Sequence, residues 1–392
     1  MKRDNKLAVV AVLLTVVVVA VALYTGHGLL SRSGPKRGGP KSGGKPGRAD
    51  PALKEALDAY KGGRLKGALD AARRAAQSGD AATQRSARLV EARALSGLED
   101  PKAAGAWSAI LDDAAFSPNQ RAEAAVWMGR SCLASEPPDV AGAIAACRQA
   151  VERFAGTTWA DQAAITLADA YIKDKHPERA EAALTAYVLG AKDPEVIQAK
   201  LCEVNMAILF SPLVTEVPKC IKYTVKSGDS LAKIAREYNT SVDLLAESNR
   251  IDDPQLLQIG DRLKVVTDSF RIVIDKSDNT LSLFCHDTLL TKYRVGTGEY
   301  DKTPVGEFEI VSKNIDPPWR GIPFGDPRNV LGTRWMGISD EAKTLKGYGI
   351  HGTWEPETIG TYKSQGCIRL LNEDVEQLFK IVPIGTPVSI VE

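Results

Sequence analysis

The chain has 392 residues, with 50 Lys and Arg against 49 Asp and Glu, a net charge of +1. Its 44% hydrophobic and 25% charged content is ordinary for globular protein, which excludes a mainly disordered chain; the length allows two to four domains of the usual ~100–200 residues. No chain-wide basic field exists to collect phosphates, so nucleic acid is a poor partner, and six cysteines are too sparse for a disulfide scaffold.

Residues 1–30 read as a membrane segment. Lys2, Arg3 and Lys6 precede an apolar run from Leu7 to about Tyr24, interrupted only by Thr15 and lacking a polar face. At about 1.5 Å per helical residue, the run just spans a thin hydrocarbon core. It stays as a signal anchor or, since Ala20-Val21-Ala22 resembles a signal-peptidase site, is cleaved as a signal peptide. Residues 31–49 are almost entirely Gly, Pro, Ser, Lys and Arg, the composition of a flexible, self-repelling linker.

From residue 50 to about 215 the sequence turns Ala-rich, with apolar residues at helical spacing (Leu53, Leu57, Tyr60, then Leu65, Ala68, Leu69, Ala72). Breaks at Gly62-Gly63, Asp100-Pro101, Ser117-Pro118, Pro137-Pro138, His176-Pro177 and Asp193-Pro194 delimit the helices. The pairs between Val140 and Val188 resemble tetratricopeptide repeats, whose unit is about 34 residues. That resemblance implies an all-α domain presenting a concave surface to a protein partner; a plain spacer is the other reading. His176 sits in a turn and is expected to be exposed. Cys132 with Cys147, and Cys202 with Cys220, are either disulfides between nearest neighbours or buried free thiols.

In 222–266, strand-like ends (Tyr223 and Val225; Leu263 and Val265) flank two short amphipathic helices. Asp229 or Ser230 can cap the first helix, and Gly228 permits a tight turn. Tyr223, Val225, Gly228, Asp229, Leu231, Ile234, Ala235, Asn249, Gly260 and Leu263 together resemble the LysM domain. The resemblance implies a βααβ fold that binds N-acetylglucosamine polymers such as peptidoglycan. The sugar would lie along Gly228, Asp229 and Ser230 and along Asn249 to Ile259, although Gly228 and Asn249 also read as turn-formers.

Residues 270–392 are β-dominated. FRIVID and TLSLFCHD alternate in polarity around Lys276-Ser277-Asp278-Asn279, a β-hairpin signature, and only NEDVEQLFKIV reads as helix. A sandwich is expected. Tyr348-Gly-Ile-His351-Gly352-Thr353 precedes Ser364-Gln365-Gly366-Cys367-Ile368-Arg369-Leu370. A cysteine nucleophile needs a base or a positive field to provide thiolate. His351 supplies the base and Arg369 positive charge; the Gly366 and Cys367 N–H groups can face an oxyanion. The Gly352 carbonyl or the Thr353 hydroxyl can fix the imidazole tautomer. Cys285 and His286 alternate on a strand, as one core thiol and one surface imidazole. Trp319 and Trp335 lie in the Gly/Pro-rich stretch 314–340, either a lid over the cleft or plain loop packing.

Thr303-Pro304-Val305-Gly306-Glu307-Phe308, the HGT triplet, Ser-x-Gly-Cys-Ile-Arg-Leu and Gly385-Thr386-Pro387-Val388 resemble the YkuD-type L,D-transpeptidase catalytic domain. One departure is Gln365, where many members have His. The resemblance implies a carbapenem-sensitive cysteine acyltransferase needing no metal or cofactor. It would join peptidoglycan stems in 3→3 cross-links, with Ser364, Gln365, Trp335 and Tyr348 at the substrate. With water as acceptor it is an L,D-carboxypeptidase; with a vestigial site it is a wall-binding scaffold. These modules imply an envelope protein, anchored in the membrane with its bulk extracytoplasmic, although positive-inside counting of the basic linker points the other way. The division of motifs predicts that residues before 270 supply localisation and that 268–392 works alone.

Overall fold

The computed structural model describes residues 50–392 except 78, 79, 216 and 217. The membrane segment and the linker read from the sequence lie outside the described residues. Among the described residues no helix is long and apolar enough to cross a membrane.

The first part is all-α: α1 (Pro51–Lys61), α2 (Leu65–Ala75), α3 (Ala81–Gly97), α4 (Lys102–Asp112), α5 (Pro118–Ala134), α6 (Val140–Arg153), α7 (Thr158–Lys173), α8 (Pro177–Tyr187) and α9 (Pro194–Leu209). Local chemistry sets the ends. Asp50, Ser117 and Asp193 each accept first-turn N–H groups ahead of a proline. Small side chains such as Ala68, Ala122, Ala143 and Ala163 are fully buried and let neighbouring helices approach closely. His176 keeps a partly exposed ring, with Nδ1 2.8 Å from Glu178.

Of the two readings of the cysteines, the free-thiol one holds: all six are free. Cys147 is fully buried between helices with Sγ 3.9 Å from the Ala125 carbonyl, and burial pushes its thiol up to about 12. Cys220 turns its sulfur to the Pro218 carbonyl at 3.1 Å instead of to Cys202 on α9. Both behave as small apolar side chains.

The next segment runs β1 (Cys220–Thr224), α10 (Leu231–Glu237), α11 (Val242–Ser248) and β2 (Arg262–Val266). The strands pair antiparallel with Tyr223 opposite Leu263, and both helices pack on them around Ile234 and Leu245.

The last part contains β3 (Phe270–Asp275), β4 (Thr280–Cys285), β5 (Thr288–Arg294), β6 (Thr297–Gly298), β7 (Gly306–Ile315), β8 (Arg334–Ser339), β9 (Gly349–His351), β10 (Tyr362–Ser364), β11 (Ile368–Arg369), α12 (Asn372–Ile381) and β12 (Pro387–Val391). A sandwich requires two large facing sheets; the strands instead form one mixed eight-stranded sheet, β11-β9-β8-β7-β12-β3-β4-β5, and a parallel β6–β10 pair. The final strand inserts between β3, to which it is parallel, and β7, to which it is antiparallel. The apolar side of α12 (Val375, Leu378, Phe379) completes the core. Cys285 is buried, while His286 falls just past β4 in a left-handed turn with its ring exposed beside Asp268.

The β-sheet domain shares its core with the segments before it. Met206 and Leu209 of α9, Cys220 of β1 and Leu244 of α11 belong to the same apolar core as Ile272, Leu283 and Leu290. Asn205 Nδ2 donates to the Leu289 carbonyl at 2.8 Å, so α9 covers the edge strand β5. Lys264, in the middle of β2, is buried and donates to the carbonyls of Ile208 (2.7 Å), Leu209 (3.0 Å) and Ser211 (2.9 Å). It thereby satisfies the open C-terminal carbonyls of α9 with a positive charge, where the helix dipole favours one. Burial lowers its ammonium to about 8. Ser241, which caps α11, and Glu247 of α11 bond to Lys380 of α12. A chain cut at 268 would lose these residues from the core that the sheet has in the full protein.

Candidate active site

The site lies at the β9–β11 end of the sheet. These strands are parallel, with Ile350 opposite Ile368 and His351 opposite Arg369, which brings Cys367 beside the start of β9. The Cys367 sulfur is 3.5 Å from the Gly347 carbonyl, and the Gly349 N–H faces it. His351 is buried, stacked on Trp335 with ring centroids 5.7 Å apart. Its Nδ1–H donates to the Gly352 carbonyl at 2.6 Å, which fixes the tautomer and leaves Nε2 free to accept a proton. The Thr353 hydroxyl is occupied by the Glu355 N–H at 3.0 Å, so of the two expected orienting groups the Gly352 carbonyl fills the role.

Burial dominates the electrostatics. It pushes His351 down to about 4, and the Arg369 charge acts in the same direction. It also raises the Cys367 thiol, against the smaller opposing pull of the Gly349 N–H and Arg369. Arg369 is itself neutralised by Glu355 at 3.0 Å and touches the Thr358 hydroxyl at 3.4 Å. Burial thus favours the neutral forms of both side chains, while the Gly349 N–H and Arg369 pull the thiol the other way.

The turn before Cys367 is shaped by Ser364, which the sequence offered as a substrate contact, together with Gly366 and Thr303. Ser364 is buried; its hydroxyl donates to the Cys367 carbonyl at 2.6 Å and accepts the Gly366 N–H at 3.0 Å. The Gly366 N–H is thus unavailable to an oxyanion, which corrects half of the expected pair; the Cys367 N–H has no protein acceptor among the described residues. Gly366 has φ 121°, and a Cβ there would meet Tyr348 at 2.6 Å and the Lys302 carbonyl at 2.8 Å, so only glycine fits. Thr303 completes the turn, donating to the Gly366 carbonyl at 3.0 Å and accepting the Gly298 N–H at 2.8 Å. Its place in the TPVG motif was the available signal. Gln365 stays exposed and accepts from Lys302 Nζ at 3.1 Å.

Cys367, His351, Trp335 and Tyr348 open into a cleft of about 630 Å3, roofed by the strap between β7 and β8. Trp319 lines it, which supports the lid reading. Asn329, which nothing in the sequence singled out, pins the strap: it is buried, with Nδ2 at 3.0 Å from the Pro317 carbonyl and Oδ1 accepting the Leu331 N–H at 2.9 Å. The strap ends on the site itself, because Gly332 N–H donates to the Gly352 carbonyl at 3.0 Å.

Residues 269–390 match the family model of the L,D-transpeptidase catalytic domain, and 223–266 match that of the LysM domain. The L,D-transpeptidase-family protein YkuD of Bacillus licheniformis is 35% identical over 177 residues, 43% of this chain and 98% of its own length. YkuD of Bacillus subtilis is 33% identical over 180 residues, again 43% and 98%. YqjB of Bacillus subtilis is 38% identical over 124 residues, 31% of this chain and 70% of its own length. The chain belongs to the L,D-transpeptidase family. It is a peptidoglycan-associated member that carries a LysM domain.

In the LysM domain of this L,D-transpeptidase most of the expected sugar contacts serve the fold. Gly228 makes a left-handed turn at φ 80°. Asp229 accepts from Tyr223 Oη (2.7 Å), Lys226 N–H (2.9 Å) and Lys233 Nζ (3.0 Å), and Ser230 caps α10. At the far end Asn249 brackets Lys264, accepting its N–H at 2.7 Å and donating to its carbonyl at 2.8 Å. Ile259 points outward, 72% exposed, beside the equally exposed Leu256 at 71%.

Proposed function

We propose that this L,D-transpeptidase forms 3→3 peptidoglycan cross-links through an acyl-enzyme on Cys367. The observation that carries the reading is geometric: His351 Nδ1 is held on the Gly352 carbonyl, which leaves Nε2 open in the cleft that Cys367 also lines. As Sγ attacks the amide between the position-three diamino acid and the terminal D-alanine, its proton passes to His351. The Cys367 N–H steadies the oxyanion. The C–N bond breaks, His351 returns the proton to the departing D-alanine amine, and a thioester remains. The side-chain amine of a second stem then attacks, loses its proton to His351, and forms the cross-link while the thiol is regenerated.

The LysM domain holds the enzyme at peptidoglycan through the surface around Ile259 and Leu256. The helical part offers a tetratricopeptide-like surface for a protein partner, and the N-terminal segment anchors the chain in the membrane with its bulk facing the wall. The reading is tested by incubating the full chain with purified disaccharide-tetrapeptides and weighing the products. A dimer lacking one D-alanine is expected, together with an adduct on Cys367. Cys367→Ala, folded, is expected to lose activity by about three or more orders of magnitude. Trimmed monomer without dimer would show water to be the acceptor, and turnover by the folded variant would sink the acyl-enzyme.

A further inference from the structure

The cleft is lined by three cations, Arg320, Lys346 and Arg369, and by no carboxylate among the described residues. Arg369 is paired with Glu355. No carboxylate pairs with Arg320 or Lys346 among the described residues, and both side chains are exposed to the cleft. Two positive charges therefore face the space above Cys367 without compensation.

Both are presented by preorganised loops. Trp319 and Ile322 exchange two backbone hydrogen bonds of 2.8 Å across a two-residue turn, with φ 50° at Arg320 and 80° at Gly321. Such a turn favours Asn, Asp or Gly at its first central position. An arginine there is held in a conformation that its side chain disfavours, and strain of this kind gathers where function keeps it. The guanidinium lies over the Trp319 ring at 5.0 Å, and the turn hangs on Asn329, whose Nδ2 also donates to the Ile322 carbonyl at 3.3 Å. Lys346 sits on a loop that Asp340 closes by accepting the N–H groups of Thr344 (2.6 Å) and Leu345 (3.0 Å). The following Gly347 carbonyl faces the Cys367 sulfur, so Lys346 is carried next to the nucleophile.

Resting on the acyl-transfer reading above, we propose that Arg320 and Lys346 are specificity-determining residues that take carboxylates of an acidic stem peptide. They would prefer free-acid stems to amidated ones. Neither takes part in the proton transfers, so their effect falls on binding.

The test uses the full chain in a Cys367→Ala background, so that binding is read without turnover. Calorimetry compares a tetrapeptide stem ending in D-alanine, with free carboxylates, against the same peptide fully amidated. The free acid is expected to bind more tightly and to weaken with added salt. Arg320→Gln and Lys346→Gln are each expected to weaken it about two- to fivefold, and the double variant about tenfold, leaving the amidated peptide unchanged. Equal binding of the two peptides, no binding of either, or variants that bind the acid as tightly as their parent would overturn the proposal. Turnover by the Cys367 enzyme is measured separately. Cross-linking without acid preference sinks this inference alone, whereas acid preference without any turnover sinks the acyl-transfer reading alone.

Discussion

The LysM domain and the catalytic cleft use their motif residues differently. In the first, Asp229, Ser230 and Asn249 have their side-chain polar atoms engaged inside the fold, while Ile259 and Leu256 stand exposed as large apolar side chains. In the second the motif divides. Ser364, Gly366 and Thr303 build the turn, while Cys367 Sγ and His351 Nε2 are left for chemistry. A recognition surface for a neutral polymer can be made from a rigid frame and exposed apolar area. A reaction centre needs groups whose hydrogen-bonding capacity is still open, and a frame that keeps them from satisfying one another.

The strongest break in that comparison is to remove the frame from outside. A chain of 268–392 loses Met206, Leu209 and Leu244 from its core and exposes the β5 edge. It is expected to aggregate or melt far below the full chain, read by calorimetry and size-exclusion chromatography; a folded, carbapenem-acylating fragment would restore the modular view. Next in size, His351→Ala is expected to cost about 10²–10⁴ in acylation rate, and the exposed Gln365→Ala only a few-fold. The reverse order, by stopped-flow fluorescence, would move the base to position 365.

The pH profile sharpens the contrast further. With His351 held near 4 by burial, the acid limb of kcat/KM is expected well below the usual imidazole value of 6.5. For stability the sign is opposite to that of a histidine gaining a partner. The unfolded chain takes up the proton first, so the contribution is complete above 6.5 and is lost as pH falls from 6.5 toward 4. Melting temperature against pH checks this, with His351→Gln flattening the slope in that window. The smallest effects separate frame from surface in the LysM domain. Asn249→Ala removes bonds to both backbone groups of Lys264 and is expected to cost about 1–3 kcal/mol of stability. Ile259→Ala should leave the melting temperature unchanged and weaken sacculus binding several-fold in a pull-down.

Much of this was legible where the signal is local. Prolines and capping residues at 50, 117 and 193 mark helix starts because the first-turn N–H groups need acceptors nearby. The hairpin at 276–279 was equally plain, since alternation and a polar turn are adjacent in sequence. What escaped depends on distant pairing. Lys264 reads as a surface lysine in an alternating strand, and only the end of α9 packed against it explains its burial. The insertion of β12 between β3 and β7 joins β3 to a strand at the far end of the domain, which no local pattern encodes. At the site, chemistry-bearing residue types were legible, but the division between builder and reactant was not. Ser364 looks like a contact in a motif and becomes scaffold only when its partners are placed.

The grip of Lys264 on the end of α9, with the bonds from α11 to Lys380, turns the protein into a ruler. A LysM domain on a loose tether would sample every stem within a sphere. Clamped on two sides, it holds the surface around Ile259 and Leu256 at a set distance and angle from Cys367. A glycan strand seated there has its own pitch, so stems would come into register with the thiol only at certain steps along it. On the proposed cross-linking function, the spacing of cross-links along a strand would then be written by a lysine buried against the end of α9.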